Sequence, residues 1–136
     1  MRGCFFVAGG SARHVGPERV GDVLNAETGF FPFEIHEAER THTVLFQRNH
    51  VVMVALADNE ARREPGYGVA TRRLVSLLLS SGRQVVGAVR VYQPQGRDRL
   101  SDWAQSGERF RYVETTAATL IVNIDHVVEA REVAEE

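Results

Sequence analysis

Short runs of apolar and polar positions recur along this chain with the spacing of strands. In "RRLVSLLL" (Arg72–Leu79) and "QVVGAVRVYQ" (Gln84–Gln93) apolar residues are dense and partly alternate, as strands require. The intervening "SSGR" (Ser80–Arg83) predicts a hairpin turn. A polar loop, "PQGRD" (Pro94–Asp98), leads into "RLSDWAQ" (Arg99–Gln105), which reads as a short helix or helical turn. Leu100 and Trp103 sit three apart there, so both can face a core. "RFRYVET" (Arg109–Thr115) is a strand with Phe110 and Tyr112 on one face. "TLIVNI" and "HVVEARE" form a closing pair around a tight turn near Ile124 and Asp125.

The same series occurs once before. With an offset of 80 residues, Glu18–Ile35 lies on Asp98–Thr115: Arg19 meets Arg99, Asp22 meets Asp102, Phe30 meets Phe110 and Glu34 meets Glu114. Past a shorter loop in the second copy the offset becomes 76. Thr43 then meets Thr119, and "HVV" at His50–Val52 meets "HVV" at His126–Val128. The change of offset falls in a polar loop, where insertions are best tolerated. In the first copy "GCFFVAG" (Gly3–Gly9) matches the second strand of the hairpin, and the opening strand is missing. Pro32 falls within "FFPFEI", so that strand is expected at an edge or bulged.

This pattern predicts a mainly β fold of two tandem units, each a small barrel-like or strongly bent sheet with one short helical turn, packed by pseudo-twofold duplication. The first β repeat covers residues 1–56 and the second 69–136. Residues 57–68, "ADNEARREPGYG", are polar and carry Pro65-Gly66, so they read as a linker. An odd number of strands leaves edges for another copy or a partner to cover. A homo-oligomer is therefore expected, with a dimer favoured.

Composition narrows the function only slightly. The 136 residues are 43% hydrophobic and 25% charged, enough to bury a core. A net charge of −2 lacks the basic excess of a dedicated nucleic-acid binder. One cysteine, Cys4, allows no internal disulfide and points to a reducing, cytoplasmic setting; set between apolar neighbours, it reads as a buried, inert thiol. No apolar run approaches the roughly 18–20 residues of a membrane-spanning helix, and no membrane association is expected.

Candidate chemistry is sparse. His50 and His126 occupy matching positions and are candidates for a metal or a base, although no partner ligand stands at helical or turn spacing; capping the turn before the last strand is the alternative role. Arg19 and Arg99 open the two helical turns, where they could bind an anion or pair with neighbouring carboxylates. Asp22 and Asp102 also match; paired carboxylates could do acid–base work, but acceptance of backbone N–H groups at those turns suits them better. Arg62, Arg63, Arg72 and Arg73, with Tyr67 as a stacking aromatic, could form a basic patch for RNA or a phosphorylated ligand, diluted by Glu60 and Glu64. The paired arginine and aspartate–serine motifs of PilZ-type cyclic-dinucleotide receptors are missing, as are GxSxG, P-loop and GxGxxG motifs.

The second copy, through its Gly-containing hairpin, "RLSDWAQSGERF" and "TLIVNIDHVVEA", resembles a group of uncharacterised small bacterial β-barrel proteins with an RLSDxLN…VNxxHVV pattern. Ala104-Gln105 stands where that pattern has LN; the first copy keeps Leu24-Asn25 but carries Gly21 where serine is usual. The resemblance implies a small barrel but assigns no catalytic residue. A looser likeness is to Sm-like barrels, which form rings or bind RNA; fold likeness alone does not give function. The expected function is a non-catalytic interaction or regulatory module, with a protein partner and no cofactor. The alternatives are an Sm-like nucleic-acid binder, and a metal protein or enzyme built on the paired histidines.

Overall fold

A computed structural model describes residues 2–7, 18–93, 96, 99–105 and 107–134. The end of the Gly3–Gly9 match and most of the Pro94–Asp98 loop lie outside the described residues. The chain is mainly β and divides into two compact units, Met1–Val51 and Val52–Glu136.

In the first unit, strand β1 (Gly3–Phe5) precedes helix α1 (Val20–Ala26), β2 (Phe30–Glu37), β3 (Arg40–Gln47) and a 3-10 turn (Arg48–His50). The sheet is antiparallel in the order β1-β2-β3. Phe31 and Ile35 bury one face of β2, and Leu24 brings the helix into the core. Phe5 stacks on Phe31 at 5.5 Å and meets Phe33 edge-on at 5.0 Å, while Phe46 packs against Phe31 and Phe33. Arg48 is also buried, and its guanidinium satisfies carbonyls: Nη1 donates to Phe30 O (2.7 Å) and Nη2 to Val23 O (2.9 Å), with the group over the Phe31 ring.

Two expectations are corrected here. The Pro32 strand is central, not an edge, and Pro32 lies in unbroken register opposite Leu45. His36 N–H donates to Arg2 O, so even-numbered residues of β2 turn toward β1. Pro32 therefore faces the position just beyond Phe5↔Phe33, the last β1 pair, where its missing donor breaks no ladder bond. Cys4 is exposed rather than buried.

The second unit contains β4 (Met53–Leu56), a 3-10 turn (Glu60–Arg63), β5 (Thr71–Leu79), β6 (Gln84–Val91), α2 (Leu100–Gln105), β7 (Phe110–Glu114), β8 (Thr119–Asn123), a 3-10 turn (Ile124–His126) and β9 (Val127–Glu132). One antiparallel sheet runs β4-β8-β7-β6-β5-β9. Period-2 alternation puts Val75, Leu77 and Leu79 of β5, and Val85, Val89 and Val91 of β6, into one core with Trp103, Val113, Leu120 and Val122. Leu100 packs against that core, as its spacing from Trp103 predicts.

The sheet stays open: β4 and β9 are its edges and it does not close into the expected barrel. Nor do β8 and β9 form a hairpin. The Ile124–His126 turn redirects the chain instead of reversing it, and β9 crosses to pair with β5. Likewise Met53–Leu56, read as the close of the first repeat, pairs with β8 in the second unit. Residues 57–68, read as a linker, are packed in that unit, with Glu60 and Ala61 buried.

Local structure matches across the two units. Helix, strand, strand and 3-10 turn follow in the same order in each, with a strand after each turn (β4 after the first, although it packs in the second unit), and the turns at Arg48–His50 and Ile124–His126 stand 76 residues apart. Arg19 N–H donates to Asp22 Oδ2 (2.8 Å), and Arg99 N–H to Asp102 Oδ2 (3.0 Å). The carbonyls of Val23 and Trp103, 80 apart, each accept from a buried or half-buried arginine, Arg48 and Arg111. Cys4 pairs with Glu34 and Ala88 with Glu114, and the preceding Gly3 and Gly87 each leave room for that glutamate's carbonyl.

Candidate functional site

The densest polar cluster of the second unit surrounds Glu114, at the end of β7. Its carboxylate accepts from Asn59 Nδ2 (2.9 Å), Tyr67 Oη (2.8 Å) and Arg90 Nε (3.4 Å). Arg90 Nη2 also donates to Tyr67 Oη (3.1 Å), and the guanidinium lies 4.3 Å from the centre of the Tyr67 ring. Burial alone would raise the Glu114 carboxyl, but the bonds from Asn59, Tyr67 and Arg90, with the Arg90 charge, hold it below the usual carboxylate range. Tyr92 is pushed up, first by burial and then by the Glu64 carboxylate. Beside this cluster, Tyr112 Oη donates to buried Glu60 (3.0 Å). Every member is engaged with another, although Asn59 Oδ1 is buried without a hydrogen-bond partner, and the network ties the 57–68 segment to the sheet.

The candidate residues read from sequence are dispersed. Tyr67 belongs to the Glu114 network, with its hydroxyl and a ring face taken. Arg63 approaches Glu60 at 3.9 Å, and Arg62 shares its 3-10 turn. Arg73 pairs with Glu132 at 3.3 Å. Arg72 and Arg73 do come together, in a surface groove of about 400 Å³ with Leu74, Glu132, Val133 and Ala134. A carboxylate in that groove offsets its positive charge.

Arg19 is buried against buried Asp22, with Nη2–Oδ1 at 3.0 Å, so its charge is matched within the helical turn. Exposed Arg99 makes the backbone half of the same arrangement. His50 is exposed at the end of its turn, in the first unit. His126 ends the matching turn in the second unit, and its ring is bonded to Ser80 Oγ at 2.7 Å. Among the described residues no three His, Cys, Asp or Glu side chains converge as a metal site. No helix among them is long and apolar enough to cross a membrane.

The geometry also exposes a feature that residue types alone did not reveal: β3 and β8 are matched strands in different surroundings. "TVLFQ" (Thr43–Gln47) and "TLIVN" (Thr119–Asn123) are equally apolar. Every residue of β8 is buried between β7 and β4, and Ile121 is 1% exposed. Its counterpart Leu45 is 62% exposed, and no strand among the described residues pairs with the outer side of β3. Signals for this existed in the repeat, but only the pairing shows which copy has its edge covered.

The chain matches no family model, no curated protein and no solved structure.

Proposed function

We propose that this protein is a non-catalytic interaction module that works through the edges of its β-sheets, and that its two units arose by tandem duplication. One observation carries the reading: β3 has the composition of a buried strand, yet no strand among the described residues pairs with its outer side, while its counterpart β8 is covered by β4. An uncovered, uncharged edge presents a row of unpaired N–H and C=O groups, which is a template for strand addition. The duplication is supported by the matched element order, the two Asp-capped helical turns and the paired glycines. The family resemblance stays part of this proposal, without a closed barrel.

The nucleic-acid alternative has less support. Its stacking aromatic, Tyr67, is occupied by Arg90, and Arg63 and Arg73 each face a carboxylate. The histidine alternative needs further ligands around His50 or His126. A reducing cytoplasm suits the exposed thiol of Cys4.

Native mass spectrometry of gently purified protein tests the reading. Assemblies of bare chains, or of chains with a bound protein, are expected. A monomer that carries RNA, a nucleotide or a metal would overturn it.

A further inference from the structure

We propose that β9 of one copy adds to the outer side of β3 in a second copy, repeating between chains the junction that β4 makes with β8 within the chain. The inference rests on the interaction-module reading and supplies its occupant and register.

The internal junction is the template. β4 pairs antiparallel with β8 as Met53↔Val122, Val54↔Ile121, Ala55↔Leu120 and Leu56↔Thr119. Advancing β4 by the repeat offset of 76 gives β9, and moving β8 back by the same offset gives β3. The transposed pairs are Glu129↔Phe46, Ala130↔Leu45, Arg131↔Val44 and Glu132↔Thr43.

Backbone direction checks this transposition independently, because only half of a strand's N–H groups face a given side. Asn123 N–H donates to Val52 O, so odd-numbered residues of β8 and even-numbered residues of β4 face the junction. On β3 the outward residues must be Thr43, Leu45 and Gln47. They are: the parity set by His36 N–H on Arg2 O leaves Phe33↔Val44 bonded across β2 and β3 and turns Leu45 outward. On β9 the outward residues must be Ala130 and Glu132. They are as well, because Val133 N–H donates inward to Leu74 O on β5. A one-residue error in either strand would have put the wrong groups at the edge.

Side chains agree with the backbone. In this register Leu45, 62% exposed, lies opposite Ala130, which packs against the core of its own unit. Pairing would set the exposed Leu45 side chain against a neighbouring strand. The outward residues of β3 carry no formal charge and no proline to block addition. The contact is heterologous, joining different surfaces of the two copies, so two chains can exchange it reciprocally or several can close a ring.

Two variants test the proposal in the full chain. Leu45→Pro removes an outward N–H from a position already opposite Pro32, so the β2–β3 ladder keeps its bonds. Light scattering after gel filtration should show the assembly reduced to single chains, with the circular dichroism unchanged. Independently, Val44→Cys with Arg131→Cys, in a Cys4→Ser background, places two thiols at a non-hydrogen-bonded pair, with Cα atoms roughly 4.5–5.5 Å apart. Oxidation should link separate chains, while Val44→Cys with Glu129→Cys, two residues out of register, should not. An assembly without the first cross-link, or one that survives Leu45→Pro in folded form, overturns this inference and leaves the interaction-module reading standing. An intrachain disulfide overturns the second-copy occupant. A wild-type protein that is monomeric at every concentration and binds no protein overturns both.

Discussion

Gly87 lets β6 approach β7 closely, and replacing it with alanine should destabilise the second unit despite the gain in chain stiffness. An ideal Cβ there would lie 2.7 Å from the Glu114 carbonyl oxygen and 2.9 Å from Val113 Cγ1. Ordinary contact begins at 3.4 Å, so the strands must part by about 0.7 Å at that point. The obstacle is backbone, so rotating a side chain gives no relief. It also falls beside Ala88↔Glu114, the β6–β7 pair, in a region where Val85, Val89 and Val113 are closely packed.

Overpacking of this kind costs roughly 1–3 kcal/mol. Gly87 does not have the left-handed φ of Gly82 or Gly107, so alanine regains about 0.4–1 kcal/mol by restricting the unfolded chain. The steric term wins, and the expected net loss is about 1–2 kcal/mol. Urea denaturation followed by Trp103 fluorescence reads this directly, because the only tryptophan lies in that core. A Gly87→Ala protein as stable as wild type, with unchanged cooperativity, would refute the close-approach argument.

The Asp22 and Asp102 turns separate burial from capping. Asp22→Ala strands buried Arg19 and should cost about 3–5 kcal/mol, whereas Asp102→Ala loses a cap to exposed Arg99 and should cost about 1 kcal/mol; chemical denaturation monitored by far-UV circular dichroism compares them. Glu114 is held ionised below the usual carboxylate range, so its contribution is full above the unfolded-state pKa and is lost as pH falls through the lower folded-state value. Stability measured across the acid range should therefore fall more steeply in wild type than in Glu114→Gln; parallel curves would contradict the network.

Much of this fold could be read from the chain because its causes are local. Alternation of Val75, Leu77 and Leu79 fixes which face of β5 is buried, and the spacing of Leu100 and Trp103 fixes the inward side of α2. The aspartate three residues past each arginine announces its backbone bond. Other features depend on long-range contact. Arg48 sits where a polar residue would ordinarily face water, and its burial is explained by distant partners, among them the carbonyls of Val23 and Phe30 and the Phe31 ring. Arg90, Asn59 and Glu114 are far apart in sequence and carry no motif. The proline of β2 looked like an edge marker because sequence does not show where its neighbour β1 stops.

The placement of β4 follows from the repeat itself. Alternation tells which face of a strand is buried and says nothing of which strand lies beside it. β8 needs acceptors and donors along its outer side, because Thr119, Ile121 and Asn123 are all buried there and unpaired backbone groups in such a place are costly. Met53–Leu56 supplies them, and its counterpart in the other repeat, β9, has outward groups of the same parity. Matched repeats thus present matched edges. On the proposed reading, a strand that completes β8 has a twin that can complete β3, whose outer edge no strand among the described residues covers. The ambiguity that hides the destination of β4 from a sequence reading is therefore the physical basis of the proposed pairing between copies, with register set by backbone direction rather than by any distinctive side chain.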